Sequence, residues 1–294
     1  MCNYYRGVYK MSSIDATAYY DKDRLLSQHH AILTVLKGIL DNPCLSQYKW
    51  LDIGCGKGQI LANLNERLNA TSMSKLLYNG YDIENDNTRT TRSIAADLKL
   101  KNRFEVGDIH NFDRIITEDE KFEFITLTNT VHEIDPRTLS NILYESIIRL
   151  EEKGHLFVYD METLPIAEQE LGAVTWKAHE ILQIINTLLR SINVTAYTPS
   201  PGRWNHKSCH GWDVHLQREY FGVDNTLISA KKEDILYNVN VKIVELIDMK
   251  YLEIKNVLES FTDRAPQTKE DEEVRTRALY DFWALTRVKE TVHT

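Results

Sequence analysis

Apolar positions recur at helical spacing from Asp21 to Leu40, where Leu25, Leu26, His29, Ile32, Leu33, Leu36 and Leu40 share one face. The turn Asp41-Asn42-Pro43 ends that run. Short apolar stretches then alternate with amphipathic ones. The pattern predicts strand 50–53, helix 59–69, strand 76–81, helix 87–98, and short strands at 104–106 and 122–127. Helix 138–150, strand 156–159 and a long helix over 166–189 follow. Such alternation implies a parallel sheet covered by helices on both faces.

Beyond residue 190 the grammar changes. Residues 194–197 and 212–220 alternate like half-buried strands, separated by Pro199-Ser200-Pro201-Gly202 and a polar loop. Two such strands suit an antiparallel hairpin at the sheet edge. Two helical blocks, 234–261 and 270–292, close the chain around a loop at 262–267. In the first, Val241, Ile243, Val244, Ile247, Tyr251, Ile254 and Val257 fall at helical spacing, so one face is buried. Packing on the rest of the chain is one reading of these helices; a surface for a second copy or a partner protein is the other. The chain thus divides into a helical lead-in (1–48), an α/β domain (49–222) and a helical extension (223–294), without internal repeats.

Size and composition narrow the class. The 294 residues are 43% apolar and 27% charged, as in an ordinary soluble protein. No apolar run approaches the roughly 18 residues of a membrane span, and the first residues lack a secretory signal's apolar core. Four cysteines lie scattered without paired spacing, so a reducing, cytoplasmic setting is expected. A net charge of −8 repels a phosphate backbone at long range and argues against nonspecific nucleic-acid binding, while leaving a local basic patch open.

Candidate chemistry begins at Trp50-Leu51-Asp52-Ile53-Gly54-Cys55-Gly56-Lys57-Gly58. A short apolar strand opens into glycines on alternate positions, GxGxG, leaving the backbone bare for close approach of a ligand. Asp82 ends the next strand, near the spacing at which a carboxylate grips ribose hydroxyls in nucleotide folds; a helix cap is the alternative role. Val106-Gly107-Asp108-Ile109-His110 follows the third strand, and Leu127-Thr128-Asn129-Thr130-Val131-His132-Glu133 follows the fourth.

Together these motifs resemble class I S-adenosylmethionine (SAM)-dependent methyltransferases, well over 51–159 and loosely to 220. The resemblance implies a Rossmann-like, mostly parallel seven-stranded sheet with an antiparallel closing hairpin, an N-terminal helical lid and a C-terminal helical extension. It implies SAM as cofactor, held by Asp52, Gly54, Gly56, Gly58, Asp82, Ile83, Asp108, Ile109 and Asn129. Tyr20 and Arg24 resemble residues of the lid, covering the sulfonium and pairing with the methionyl carboxylate. One departure stands out: the fifth strand ends Tyr159-Asp160-Met161-Glu162, acidic where the family is small or apolar.

Methyl transfer from a sulfonium needs alignment and exclusion of water, with a base only for an acceptor that holds its proton tightly. His132 is the candidate base, or a structural histidine; Glu133 orients it, positions substrate, or lies exposed. The 203–215 stretch offers Arg203, Trp204 and Trp212 to a planar acceptor. His206, Cys209, His210 and His215 contain enough ligands for zinc, but no second ligand pair appears, so no metal is expected. The acceptor is a small molecule or a protein side chain, with RNA open; the alternative function is a silent SAM-binding subunit. A dehydrogenase is disfavoured by GxGxG.

Overall fold

The computed structural model describes residues 27–169, 172–206, 209–262 and 266–292. Tyr20, Arg24 and the lid reading therefore lie outside the described residues. Helix α1 (Ser27–Leu40) buries Ile32, Leu33, Leu36 and Leu40, the face its spacing predicts. Seven strands follow: β1 (Tyr48–Ile53), β2 (Leu76–Asp82), β3 (Lys101–Val106), β4 (Phe122–Thr128), β5 (Leu150–Met161), β6 (Pro201–His206) and β7 (Cys209–Gln217). They form one sheet in the order β3-β2-β1-β4-β5-β7-β6. The first five strands pair in parallel, β7 runs antiparallel to β5, and β6 antiparallel to β7. The expected Rossmann-like sheet with its antiparallel closing hairpin is the fold of this chain.

The alternation of side chains along each strand builds two cores. Leu51, Ile53, Ile125, Leu127, Leu156 and Val158 face one side, against helices α3 (Pro136–Ile148) and α4 (Ala178–Ser191). Trp50, Tyr78, Phe124, Phe157 and Tyr159 face the other, against α1. Helix α2 (Asn85–Asp97) connects β2 to β3. The chain crosses from β3 over to β4, so the carboxyl ends of β1 and β4 lie side by side at the point where strand order reverses. Open α/β sheets bind ligands there.

Three local expectations are corrected. Helix 59–69 is broken into Gln59–Ala62 and Leu64–Arg67, with Leu68 extended and Asn69 starting a further turn by accepting the Ser72 N–H at 2.8 Å. The break lets Leu61, Leu64 and Leu68 all reach the core. Helix 166–189 is likewise interrupted after Gln169: Gly172 adopts φ 81°, and the helix restarts at Ala178. Its restart is fixed by carboxylates, since Glu180 accepts the Lys177 N–H at 2.6 Å and Glu162 the Ala178 N–H at 2.7 Å. Finally, 194–197 is not a strand. Asn193 takes a left-handed φ of 65° and the Val194 N–H closes back on Leu189 O at 2.8 Å, a helix-ending turn. The strand pairing with β7 is the glycine- and proline-bearing 201–206 segment, which sequence reads as loop.

The C-terminal helices α5 (Lys232–Glu259) and α6 (Lys269–Val292) pack on the α3 and α4 side of the sheet. Ile235, Val239, Ile243, Leu246 and Ile247 of α5 join the same core as the sheet. Of the expected stripe, Ile243 and Ile247 are core and Tyr251 and Ile254 pack against it, while Val241 is half exposed, in a row with exposed Tyr237, Met249 and Leu252. Among the described residues no helix is long and apolar enough to cross a membrane.

Candidate functional site

The glycine turn sits at the carboxyl end of β1 and is stitched to its neighbours by backbone bonds. The N–H groups of Gly54 and Cys55 both donate to Tyr81 O on β2, at 2.8 and 3.0 Å. All three glycines have positive φ: 69° at Gly54, 52° at Gly56 and 76° at Gly58. Their surroundings differ. A Cβ on Gly54 would lie 2.3 Å from Thr130 Oγ1, and one on Gly58 would lie 2.7 Å from the Ile94 side chain. A Cβ on Gly56 would meet nothing within 4 Å. Two glycines serve internal packing; the middle one faces open space.

Asp82, at the end of β2, is bonded to that middle glycine. Its Oδ2 accepts the Gly56 N–H at 2.8 Å, and Oδ1 accepts Glu84 N–H at 2.8 Å and the Asn87 amide at 3.1 Å. The carboxylate therefore locks the glycine turn onto the start of α2. A carboxylate offers about four lone-pair sites, so three donors leave roughly one for a ligand hydroxyl unless the Asn87 amide swings aside. The helix-cap alternative takes a different form, since the N-cap of α2 is Glu84 and Asp82 instead ties the glycine turn to the residues before that helix. Next to it Ile83 is 61% exposed, an aliphatic side chain at the rim where a flat apolar ligand face could rest.

Asp108 lies at the end of β3 and is exposed. It accepts the His110 N–H at 2.9 Å and contacts His110 Nδ1 at 2.7 Å; these bonds, backbone first, hold its carboxyl below the usual range. Ile109 beside it is half-buried. Asn129, following β4, takes a left-handed φ of 50°, and its buried Oδ1 has no hydrogen-bond partner within the protein. Trp176 Nε1, Arg218 Nε and Asn240 Oδ1 are the other buried side-chain atoms without a partner among the described residues.

Asp52 is placed differently from its expectation. It points into the α1-side core, where Tyr78 OH donates to it at 2.7 Å and Thr126 Oγ1 at 2.6 Å. Trp50 Nε1 supports Thr126 at 2.8 Å. Burial pushes the Asp52 carboxyl up to about 6, against the two hydroxyl bonds that lower it; nearby Asp82 adds to the rise. Its contact with the crevice is through the turn it precedes.

His132 stands in a single helical turn after β4 and is 5% exposed. Its ring Nδ1 lies 2.6 Å from Asp160 Oδ1 and its N–H donates to Asp160 Oδ2 at 2.8 Å. Asp160, at the end of β5, is 1% exposed and was not among the expected site residues. The signal was present: an acidic residue ends an apolar strand, where a site begins. Glu133 is exposed, with Oε1 3.8 Å from His132 Nε2.

The hairpin residues separate. Arg203 remains exposed, pairing with Glu162 at 2.7 Å beside the carboxyl end of β5. Trp212 and Trp204 are buried, at 0% and 4% exposure. The Trp212 indole N–H donates to Trp176 O at 2.6 Å, and that of Trp204 to Trp212 O at 3.3 Å. Both rings are core, which corrects the expectation that they stack on an acceptor. His215 stacks on Phe157 with ring centroids 4.2 Å apart, and His210 pairs with Asn205 at 2.8 Å. Among the described residues no group of three or more His, Cys, Asp or Glu side chains is arranged to hold a metal.

The family model for a methyltransferase domain matches residues 45–196, from β1 through the end of α4. Solved structures with a similar fold include magnesium protoporphyrin IX methyltransferase from Synechocystis with bound SAM, at 13% identity and TM-score 0.45. That match covers 65% of this chain and 79% of the other. A SAM-dependent methyltransferase from Aquifex aeolicus matches at 18% identity and TM-score 0.45, over 70% of this chain and all 100% of its own. The N-methyltransferase NodS from Bradyrhizobium japonicum matches at 14% identity and TM-score 0.45, over 65% and 85%. A search of the curated proteins finds no match. With the family model spanning more than half of its residues, the chain belongs to the methyltransferase domain family, the SAM-dependent enzymes its strand-end motifs resemble.

Proposed function

We propose that this methyltransferase binds SAM across the carboxyl ends of β1, β2 and β3 and passes its methyl group to a small molecule or a protein side chain. The observation that carries the reading is Gly56, where an added Cβ would meet nothing within 4 Å and whose N–H donates to the Asp82 carboxylate, with the exposed Ile83 next in the chain. SAM supplies an electrophilic methyl on a sulfonium.

The chain's residues do the rest. Gly54, Gly56 and Gly58 bare the backbone; Asp82 accepts a ribose hydroxyl; Ile83 and Ile109 pack on the adenine, with Asp108 at its edge. The orphaned Asn129 Oδ1 accepts a donor from the cofactor's polar end. Asp52 contributes through the turn and as a buried negative charge near a cation. Carboxylates at 52, 82 and 108 suit a positively charged sulfonium. His132 takes a proton from the acceptor, Glu133 lies at the mouth of that site, and Arg203 contacts the acceptor from the hairpin. We place the enzyme in the cytoplasm, in keeping with Cys44 and Cys55 being free thiols.

The test is incubation of the purified chain with methyl-labelled SAM and fractionated metabolite, protein and RNA pools. Label entering the metabolite or protein pool supports the reading. Tight SAM binding with no labelled pool refutes it in favour of a silent binding subunit, and label confined to RNA refutes the acceptor class.

A further inference from the structure

Buried at the end of β5, Asp160 is a carboxylate that needs a reason to be there. Burying an ionised group is costly unless donors surround it. Three do: the His132 N–H at 2.8 Å, the Met161 N–H at 2.7 Å, and the His132 ring Nδ1 at 2.6 Å. The two amides alone would make Asp160 a loop pin. The ring contact adds chemistry. A carboxylate can only accept, so the neutral imidazole beside it must carry its proton on Nδ1 and its lone pair on Nε2.

The ring is also aimed. Nδ1 points inward to buried Asp160, while Nε2 lies toward the exposed Glu133, whose carboxylate is 3.8 Å away. The backbone that bears the ring is fixed from a second side, where the Val174 N–H donates to His132 O at 3.0 Å. That bond helps hold the non-helical segment 172–177. Tautomer and orientation are thus both set before any substrate arrives.

We propose that Asp160 is the positioning residue for His132 and that the acceptor atom is a neutral hydroxyl oxygen. The proposal rests on the SAM-dependent reading above. An oriented base matters only for an acceptor that must lose a proton as it reacts. A carboxylate is already ionised at neutral pH, and a neutral amine attacks through its lone pair and sheds its proton afterwards. A hydroxyl is poorly nucleophilic until its proton is shared. The step balances: the hydroxyl oxygen bonds to the methyl carbon, the carbon–sulfur bond breaks with both electrons left on sulfur, and the hydroxyl proton passes to His132 Nε2. The products are a methyl ether, a neutral sulfide and an imidazolium held by Asp160.

In Asp160→Asn, an amide nitrogen must replace one oxygen. At the Oδ1 position it faces the Met161 N–H and forces the ring into the opposite tautomer; at the Oδ2 position it faces the His132 N–H. The experiment reads the His132 imidazole by ¹⁵N NMR in the full chain, assigned by its loss in His132→Gln. Calorimetric SAM binding to Asp160→Asn shows that the variant is folded. Wild type is expected to carry the proton on Nδ1, and Asp160→Asn to carry it on Nε2 or to lose the single tautomer. Methyl transfer into the labelled pool should fall by about a hundredfold or more, the usual range for a lost general base. A wild-type ring protonated on Nε2 alone, or methyl transfer undiminished in a folded Asp160→Asn, overturns the positioning role.

The chemistry of the labelled product tests the acceptor separately. Label that survives alkali but is released as methyl iodide by hydriodic acid marks an ether, as expected. Label released by alkali marks an ester, label retained on a basic nitrogen marks an amine, and label on carbon resists both reagents; each overturns the hydroxyl assignment. A pool that takes up no label refutes the methyl-transfer reading itself, while the NMR result still decides the role of Asp160.

Discussion

Gly56→Ala isolates the ligand-facing part of the glycine turn. Its φ of 52° lies in the left-handed region, where an added Cβ costs about 1–2 kcal/mol whatever the space around it. No atom within 4 Å opposes that Cβ, so no packing cost is added. For a chain of this size the melting temperature should fall by roughly 2–4 °C per kcal/mol, several degrees in all. The new methyl group, however, occupies the space assigned to the cofactor. SAM affinity should drop at least tenfold, a loss of about 1.4 kcal/mol or more. The assay is isothermal calorimetry with SAM alongside a thermal melt, with Gly54→Ala as the contrast. There the Cβ would lie 2.3 Å from Thr130 Oγ1, so stability should suffer more than at Gly56. A Gly56→Ala protein that melts a few degrees early and binds SAM as tightly as wild type refutes the cradle.

Other outcomes follow from the same geometry. Asp52, raised by burial from 3.8 to about 6, binds its proton more tightly folded than unfolded. Stability from this group is therefore full below pH 4 and is lost as pH rises to 6 and beyond, by roughly 3 kcal/mol. Urea midpoints between pH 4 and 7.5 should show that slope in wild type and not in Asp52→Asn; equal slopes refute the shift. Ile83→Ser should weaken SAM binding several-fold in calorimetry and barely change the melt, because the side chain is 61% exposed; an equal loss of both contradicts its rim position. Trp212→Ala should cost about 3–5 kcal/mol in urea unfolding, as a buried indole whose N–H is bonded, and a mild cost would restore the acceptor-stacking role.

Sequence makes the cofactor half of the proposed site legible because each of its parts stands at a strand end. A strand end is marked twice, by the apolar run that stops and by the glycine or carboxylate that follows, as at Ile53-Gly54, Tyr81-Asp82 and Leu127-Thr128. The acceptor half is less legible because its parts meet only through the sheet. Asp160 and His132 are 28 residues apart and touch because β4 and β5 pair in parallel register, Thr128 opposite Tyr159. Sequence offers the two hairpin tryptophans as stacking platforms; only the pairing of β7 between β5 and β6 places them inside. The long helix expected over 166–189 failed at Gly172, where tertiary bonds to His132 and to the α4 cap outweigh local helical periodicity.

A crystal structure of the chain with SAM tests the central claim most directly. The account places the ribose hydroxyls at Asp82, the adenine against Ile83 and Ile109, the polar end near Asn129 Oδ1, and the sulfonium methyl facing the His132 side of the crevice. Ligand density over Gly56 in that orientation is the expected result. SAM bound elsewhere on the molecule, or a Gly56 space that stays empty at saturating SAM, would contradict it.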